Sequence, residues 1–181
     1  PAVELSYLKP QEQVELLDRE CTDISQTPWG REIMDWAAGI SQYWSNEFDG
    51  MMQAMAEQPQ ISAAYLPSIA ETADALREFS RCLRLGWDRS RACLPIPFPK
   101  LKALRNSPAP ELSERIKKQR EACKKEMASL AGAFYSDSLT LLEEIKQTGP
   151  AMAALLALTL DFDKAFAADK RRLALADYAD L

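Results

Sequence analysis

The chain contains no histidine, and that absence removes more chemistry than any residue present supplies. Without imidazole there is no Ser–His or Cys–His nucleophile pair, no histidine metal ligand and no general base of the usual kind. Glycine is scarce as well, six in 181 residues, and no Gly-x-x-x-x-Gly-Lys-Ser/Thr loop occurs among them. The backbone cradle that holds nucleotide phosphates in ATPases is therefore not encoded here. The four cysteines, Cys21, Cys82, Cys93 and Cys123, stand far apart with no Cys-x-x-Cys pair. That spacing fits neither a zinc nor an iron–sulfur pattern, so they read as reduced thiols of a cytoplasmic protein with no metal site.

Long apolar runs are missing too. The most apolar stretch, Ala151–Leu160, is about half the length a membrane helix needs, and no signal peptide is read at the start. No run alternates apolar and polar residues over a useful length, which leaves β-structure without its signature. The carboxylates close in sequence do not form a catalytic pair: Asp161, Asp163 and Asp169 fall on different sides of a helix, and Glu143-Glu144 reads as an exposed pair. No catalytic constellation emerges, and the chain by itself is expected to carry out no chemistry.

What is present favours helix. Hydrophobic residues make up 47% and charged residues 27%, a globular balance, and the length suits one well-buried helical domain over residues 1–181. An opening residue of Pro1 rather than Met fits a piece of a longer polypeptide. Residues Pro1 to Gln26 read as a short helix and a turn. Thr27-Pro28 then marks a clean start, with Thr27 as the cap and Pro28 where a missing N–H costs nothing. Trp29, Ile33, Trp36, Ala37, Ile40, Trp44, Phe48, Met52 and Met55 recur at steps of three and four, predicting one amphipathic helix to about Glu57 with its tryptophans in the core.

A second helix is expected over about 60–85, interrupted at Pro67, with Leu66, Ile69, Ala73, Leu76, Phe79 and Leu83 as its stripe and Gly86 as its stop. A helical turn through Trp87–Ala92 follows. Pro95, Pro97 and Pro99 alternate with Ile96 and Phe98, which forbids helix and predicts a stiff extended connection laid over the core. Ser107 is expected to cap the next helix, which ends near Gly132. A shorter one, capped by Ser136 or Asp137, should reach Gln147 and break at Gly149-Pro150. The last should bury Met152, Leu155, Leu156, Thr159, Phe162 and Phe166. The fold class is thus all-α, a bundle-like arrangement of long amphipathic helices with one Pro-rich extended connection.

Charge is the unusual feature. Between Arg81 and Lys125 stand 13 basic and four acidic side chains, a balance of +9 in a chain whose net charge is −5. In the helix that begins near Glu111, Leu112, Ile116, Gln119, Cys123, Met127 and Leu130 share one arc, and Lys117, Lys118, Arg120, Lys124 and Lys125 fall away from its centre. Glu121 is placed to pair with Lys117 and Lys125 at i,i+4. Two readings stand: a solvated helix face, or a face that meets a polyanion.

At the C-terminus, Leu160-Asp161-Phe162-Asp163-Lys164-Ala165-Phe166 through Asp169-Lys170-Arg171-Arg172, and then Asp177-Tyr178-Ala179-Asp180-Leu181, resemble a segment of the UvrD-like superfamily 1A DNA helicases. There a helix leads into a D-(F/Y)-x-D-L motif where the helical 1B subdomain rejoins the first motor domain. Thr27-Pro28-Trp29-Gly30-Arg31-Glu32, Pro97-Phe98-Pro99-Lys100-Leu101 and Arg115–Lys125 are similar to the AddA subunit of bacterial AddAB helicase–nucleases, clostridial-type members above all. Tyr178 replaces the commoner Phe and Ala179 the commoner Ser or Asp. The likeness runs from about Thr27 to Leu181. It implies a 1B-type insert of an ATP- and Mg²⁺-dependent 3′–5′ helicase and exonuclease that acts in double-strand break repair and recombination with an AddB-like partner. It further implies that the phosphate loop, the metal-binding acids and the nuclease carboxylates lie outside this chain. The basic face would then touch duplex DNA near the fork through Lys100, Lys102, Arg105, Lys117, Lys118, Arg120, Lys124 and Lys125. The alternative is a structural insert that docks the AddB-like partner. The chain itself is expected to be monomeric.

Overall fold

The computed structural model describes residues 21–174, so the expected N-terminal helix and the motif residues Asp177, Tyr178, Asp180 and Leu181 lie outside the described residues. A 3-10 turn, Ile24–Gln26, leads into five helices: α1 (Pro28–Ala56), α2 (Pro59–Cys82), α3 (Trp87–Ala92), α4 (Pro110–Ala133) and α5 (Ser138–Leu173). No strand occurs among the described residues. The all-α reading holds. Residues 22–140 form one compact unit, and 141–174 belong to a second.

Within the first unit, α1 and α2 form an antiparallel hairpin joined by two residues. Ala37, Phe48 and Met55 of α1 and Ile61, Ile69, Leu76 and Phe79 of α2 are all fully buried, and the two helices pack on one another. Each large apolar side chain so buried contributes roughly 1.5–3 kcal/mol before the entropy of ordering it is counted. The hairpin is also tied by polar groups: Ser41 Oγ donates to the Leu76 carbonyl at 3.1 Å, and Arg77 pairs with Asp49. The third wall is α4, which lies against α1. Trp44 Nε1 donates to Glu126 at 2.7 Å, and Gln119 Nε2 to Glu47 at 2.5 Å.

The buried face of α1 is Met34, Ala37, Ser41, Trp44, Ser45, Phe48, Met51 and Met55, slightly rotated from the expected stripe. Trp44 is in the core, but Trp36 is 48% exposed and Trp29 half-buried, so the three tryptophans do not share one environment. The reason lies in the neighbours: α2 and α4 are both reached through the Trp44 arc, which leaves Trp36 on the flank.

Thr27 caps α1 as expected. Its hydroxyl accepts from the Gly30 amide at 3.0 Å and donates to the Ile24 carbonyl at 2.7 Å, which clamps the preceding turn onto the helix start. Asp23 carries that clamp further by accepting from Ser25 N–H at 2.8 Å and from Trp87 N–H at 3.2 Å. Gly86, at φ 115, supplies the left-handed turn between α2 and α3 that other residues resist. Trp87 stacks on Phe134 at 4.3 Å, and its Nε1 donates to the Ser136 carbonyl at 2.9 Å.

Two prolines do not break their helices. Pro67 lies inside α2 and Pro150 inside α5, so the expected interruption at Pro67 and the stop at Gly149-Pro150 are corrected. A proline deletes one N–H bond and crowds one carbonyl, and helix formers on both sides carry the helix through that local loss. Asp137 is the cap of α5, accepting from Thr140 N–H at 3.0 Å. Ser107 is not the cap of α4: Ala109 holds that position without a side-chain bond, and Ser107 Oγ instead meets Ser113 Oγ at 2.7 Å. In the second unit, Met152, Leu155, Phe162 and Phe166 are 46–67% exposed. Thr159 is exposed and Leu156 half-buried, so the expected burial of this stripe is corrected: periodicity marks an apolar stripe but carries no information about what covers it.

Candidate nucleic-acid interface

The Pro-rich connection is extended, as its alternating prolines require, and it runs across α2 and α4 of the first unit. It is held by its carbonyl oxygens. Thr72 Oγ1 donates to Pro97 O at 2.9 Å, Ser68 Oγ donates to Lys100 O at 3.0 Å, and the Arg120 guanidinium donates to Pro99 O. Ile96 points inward and is 6% exposed, while Lys100 and Lys102 point to solvent. The connection thereby becomes a cationic rail beside α4.

Residues on α4 divide the cations by position. Ser113, Ile116, Arg120, Cys123, Met127 and Leu130 are its buried face, at steps of three and four. Arg120 occupies the inward position expected for Gln119. It is 7% exposed, its guanidinium carbon is 5.5 Å from the centre of the Phe98 ring, and it pairs with Glu121 at 3.7 Å. Arg120 therefore leaves the set of surface phosphate ligands proposed from the sequence. Its flat, weakly hydrated guanidinium suits a buried place over an aromatic ring better than lysine would.

The other seven candidates, Lys100, Lys102, Arg105, Lys117, Lys118, Lys124 and Lys125, are exposed. On α4 they form two rows, since residues seven apart nearly eclipse. Lys117 and Lys124 border a cleft against the Pro-rich connection, and Lys118 and Lys125 lie ~100° further round. Lys117 pairs with Glu114 at 2.7 Å, a bond that raises its pKa and keeps it charged; the expected pairing with Glu121 is not made. The cleft between rail and helix has a volume of about 590 Å³.

The cysteines are free thiols. Burial pushes Cys123 up to about 12 and, together with a hydrogen bond that the Cys93 thiol donates to Cys82, pushes Cys93 up to about 12 as well, which holds both as neutral thiols. No cluster of potential metal ligands occurs among the described residues, and no helix among them is long and apolar enough to cross a membrane.

No family model matches the chain. Curated relatives do. It is 26% identical over 158 residues to AddA, the ATP-dependent helicase/nuclease protein of that name, from Heliobacterium modesticaldum, covering 83% of this chain and 11% of that protein. It is 30% identical over 129 residues to AddA from Desulforudis audaxviator, 70% of this chain and 10% of that protein. A third, AddA from Geobacillus thermodenitrificans, is 26% identical over 165 residues, 90% of this chain and 13% of that protein. The chain thus spans about a tenth of the length of the relatives it matches. Along most of its length it is an all-helical chain similar to one segment of the ATP-dependent helicase/nuclease AddA, as the motifs at Thr27, Pro97 and Arg115 implied.

Proposed function

We propose that this chain is an accessory DNA-engaging segment of a helicase–nuclease, binding duplex through the phosphate backbone without regard to sequence. The observation that carries the reading is the concentration of exposed cations on adjoining elements, Lys100, Lys102 and Arg105 on the connection and Lys117, Lys118, Lys124 and Lys125 on α4. Lysines on a solvated surface release counterions when they meet phosphates, and the resulting affinity is indifferent to sequence and sensitive to salt. A translocating motor needs that kind of contact. The whole protein, on this reading, is an ATP- and Mg²⁺-dependent 3′–5′ helicase and exonuclease of double-strand break repair and recombination, cytoplasmic in a bacterium and partnered by an AddB-like protein. This chain contributes positioning and no chemistry.

The test uses Lys118→Glu with Lys125→Glu, two exposed sites outside the cleft. Duplex binding by the 181-residue chain should weaken for any sequence, and the slope of log affinity against log salt should flatten by about 1 for each lost contact. Parent-like binding at several salt concentrations would leave the face merely solvated. The second reading, a docking insert, draws support from the exposed apolar residues of α5, Met152, Leu155, Phe162 and Phe166. It predicts that substitutions there, and not on α4, weaken association with the AddB-like partner.

A further inference from the structure

The cleft between the Pro-rich connection and α4 differs from the open cationic surface around it. Four lysines border it, Lys100, Lys102, Lys117 and Lys124, against Glu121 in its lining and Glu114, which pairs with Lys117 at 2.7 Å. Arg120 lines it from below, and the Nε of this buried guanidinium has no hydrogen-bond partner. A buried cationic group with an unmet N–H is uncommon in native proteins and is costly to keep. Glu121 pairs with it at 3.7 Å, so the positive charge of the cleft comes from the exposed lysines on its rim, with Arg120 as part of the floor. Phe98, Leu101 and Leu104 give the same cleft an apolar wall. A duplex backbone presents a convex row of phosphates, which suits the exposed Lys118 and Lys125 row, whereas the groove of about 590 Å³ beside it is concave.

We propose that this cleft takes a single nucleotide unit, its phosphate held among Lys100, Lys102, Lys117 and Lys124 and its base laid against Phe98, Leu101 and Leu104. The inference deepens the nucleic-acid reading and rests on it for the class of ligand. The recess supplies the two things such a unit needs together, a rim of positive charge and an apolar surface for a π-face. The unit can come from a free nucleotide or from a single strand, because the recognised chemistry is the same.

The experiment is a titration of the 181-residue chain, followed by amide NMR shifts, with dTMP, thymidine, inorganic phosphate and 5′-phosphorylated dT₄. Saturable shifts confined to residues 100–104 and 117–124 are expected with dTMP, with at least about tenfold weaker binding of thymidine and of phosphate alone, as expected when each lacks one half of the contacts. Lys102→Glu, at an exposed position, should abolish the dTMP response with unchanged melting, whereas Lys118→Glu with Lys125→Glu should leave it intact. Tighter binding of dT₄ than of dTMP assigns the site to a strand, and equal affinity assigns it to the nucleotide alone. Absence of saturable shifts, phosphate binding as well as dTMP, or a response unaffected by Lys102→Glu overturns the proposal. Loss of duplex affinity in the Lys118/Lys125 variant with no dTMP site would sink the cleft and leave the duplex reading standing; a dTMP site with duplex affinity unchanged would do the reverse.

Discussion

A methyl group on Gly30 would begin 1.9 Å from the carbonyl oxygen of Ile24, closer than two such atoms can stand. The first turn of α1 and the turn before it are packed backbone to backbone, and the Thr27 hydroxyl bonds to both. Glycine is thus required inside the Thr-Pro-Trp-Gly motif by contact, in a helix where its conformational freedom is otherwise a cost.

Gly30→Ala should destabilise the chain by about 3 kcal/mol, the upper range for forcing an extra methyl into a packed site. Gly39→Ala, with nothing within 4 Å of its added methyl, should instead stabilise by roughly 0.5–1 kcal/mol. Urea melts of the two variants check the pair, and similar effects from both would contradict the close approach.

Helix α5 should weaken at its start in acid. Bonds from the Thr140 amide and then its hydroxyl hold the Asp137 carboxyl below its ordinary 3.8. A carboxyl depressed in the folded state adds stability that is complete above the ordinary value and lost as pH falls through the depressed one. Asp137→Ala should therefore lower the melting temperature at neutral pH, and the gap from the parent should close as the pH drops below 3.8. A gap that stays constant with pH would remove the charge from the cap.

Cys123 should resist alkylation in the folded chain. It is fully buried, and burial lifts it to about 12, so at a pH of about 8 it is almost entirely the unreactive thiol. Mass spectrometry after brief iodoacetamide treatment should find Cys21, half-buried, modified ahead of Cys123, with the order erased in denaturant. Equal labelling rates in the native chain would argue that α4 opens readily.

Phe162→Ser should change stability by no more than about 0.5 kcal/mol, because the ring is 67% exposed. Phe48→Ala, at a fully buried ring, should cost about 3–5 kcal/mol. Thermal melts of the two decide whether the apolar face of α5 is part of a core, as its periodicity alone suggests.

Helix existence was legible wherever apolar stripes were long: α1, α2 and α4 begin within a few residues of the expected starts at Thr27-Pro28, Gln60 and Glu111. The Pro-rich connection was legible for a stronger reason, since three alternating prolines leave the backbone few options. Pro67 and Pro150 misled because a lone proline only removes one bond, and whether a helix ends there depends on the residues around it. The cationic stretch could be read, but the split within it could not. Helical arithmetic from Leu112 sets Arg120 off the centre of the apolar arc, but the buried face is rotated so that Ser113 and Arg120 take the inward positions expected for Leu112 and Gln119. The Pro99 carbonyl, 21 residues upstream, and the neighbouring Phe98 ring supply the environment that makes the burial tolerable.

The hydroxyls of Ser68 and Thr72 grip the connection by main-chain oxygen, which every residue type offers equally. Lys100 and Lys102 can consequently be exchanged for other side chains without loosening the segment that carries them. Selection could alter the charge of this rim step by step across lineages, retuning its grip on a polyanion, while the scaffold beneath it stays the same.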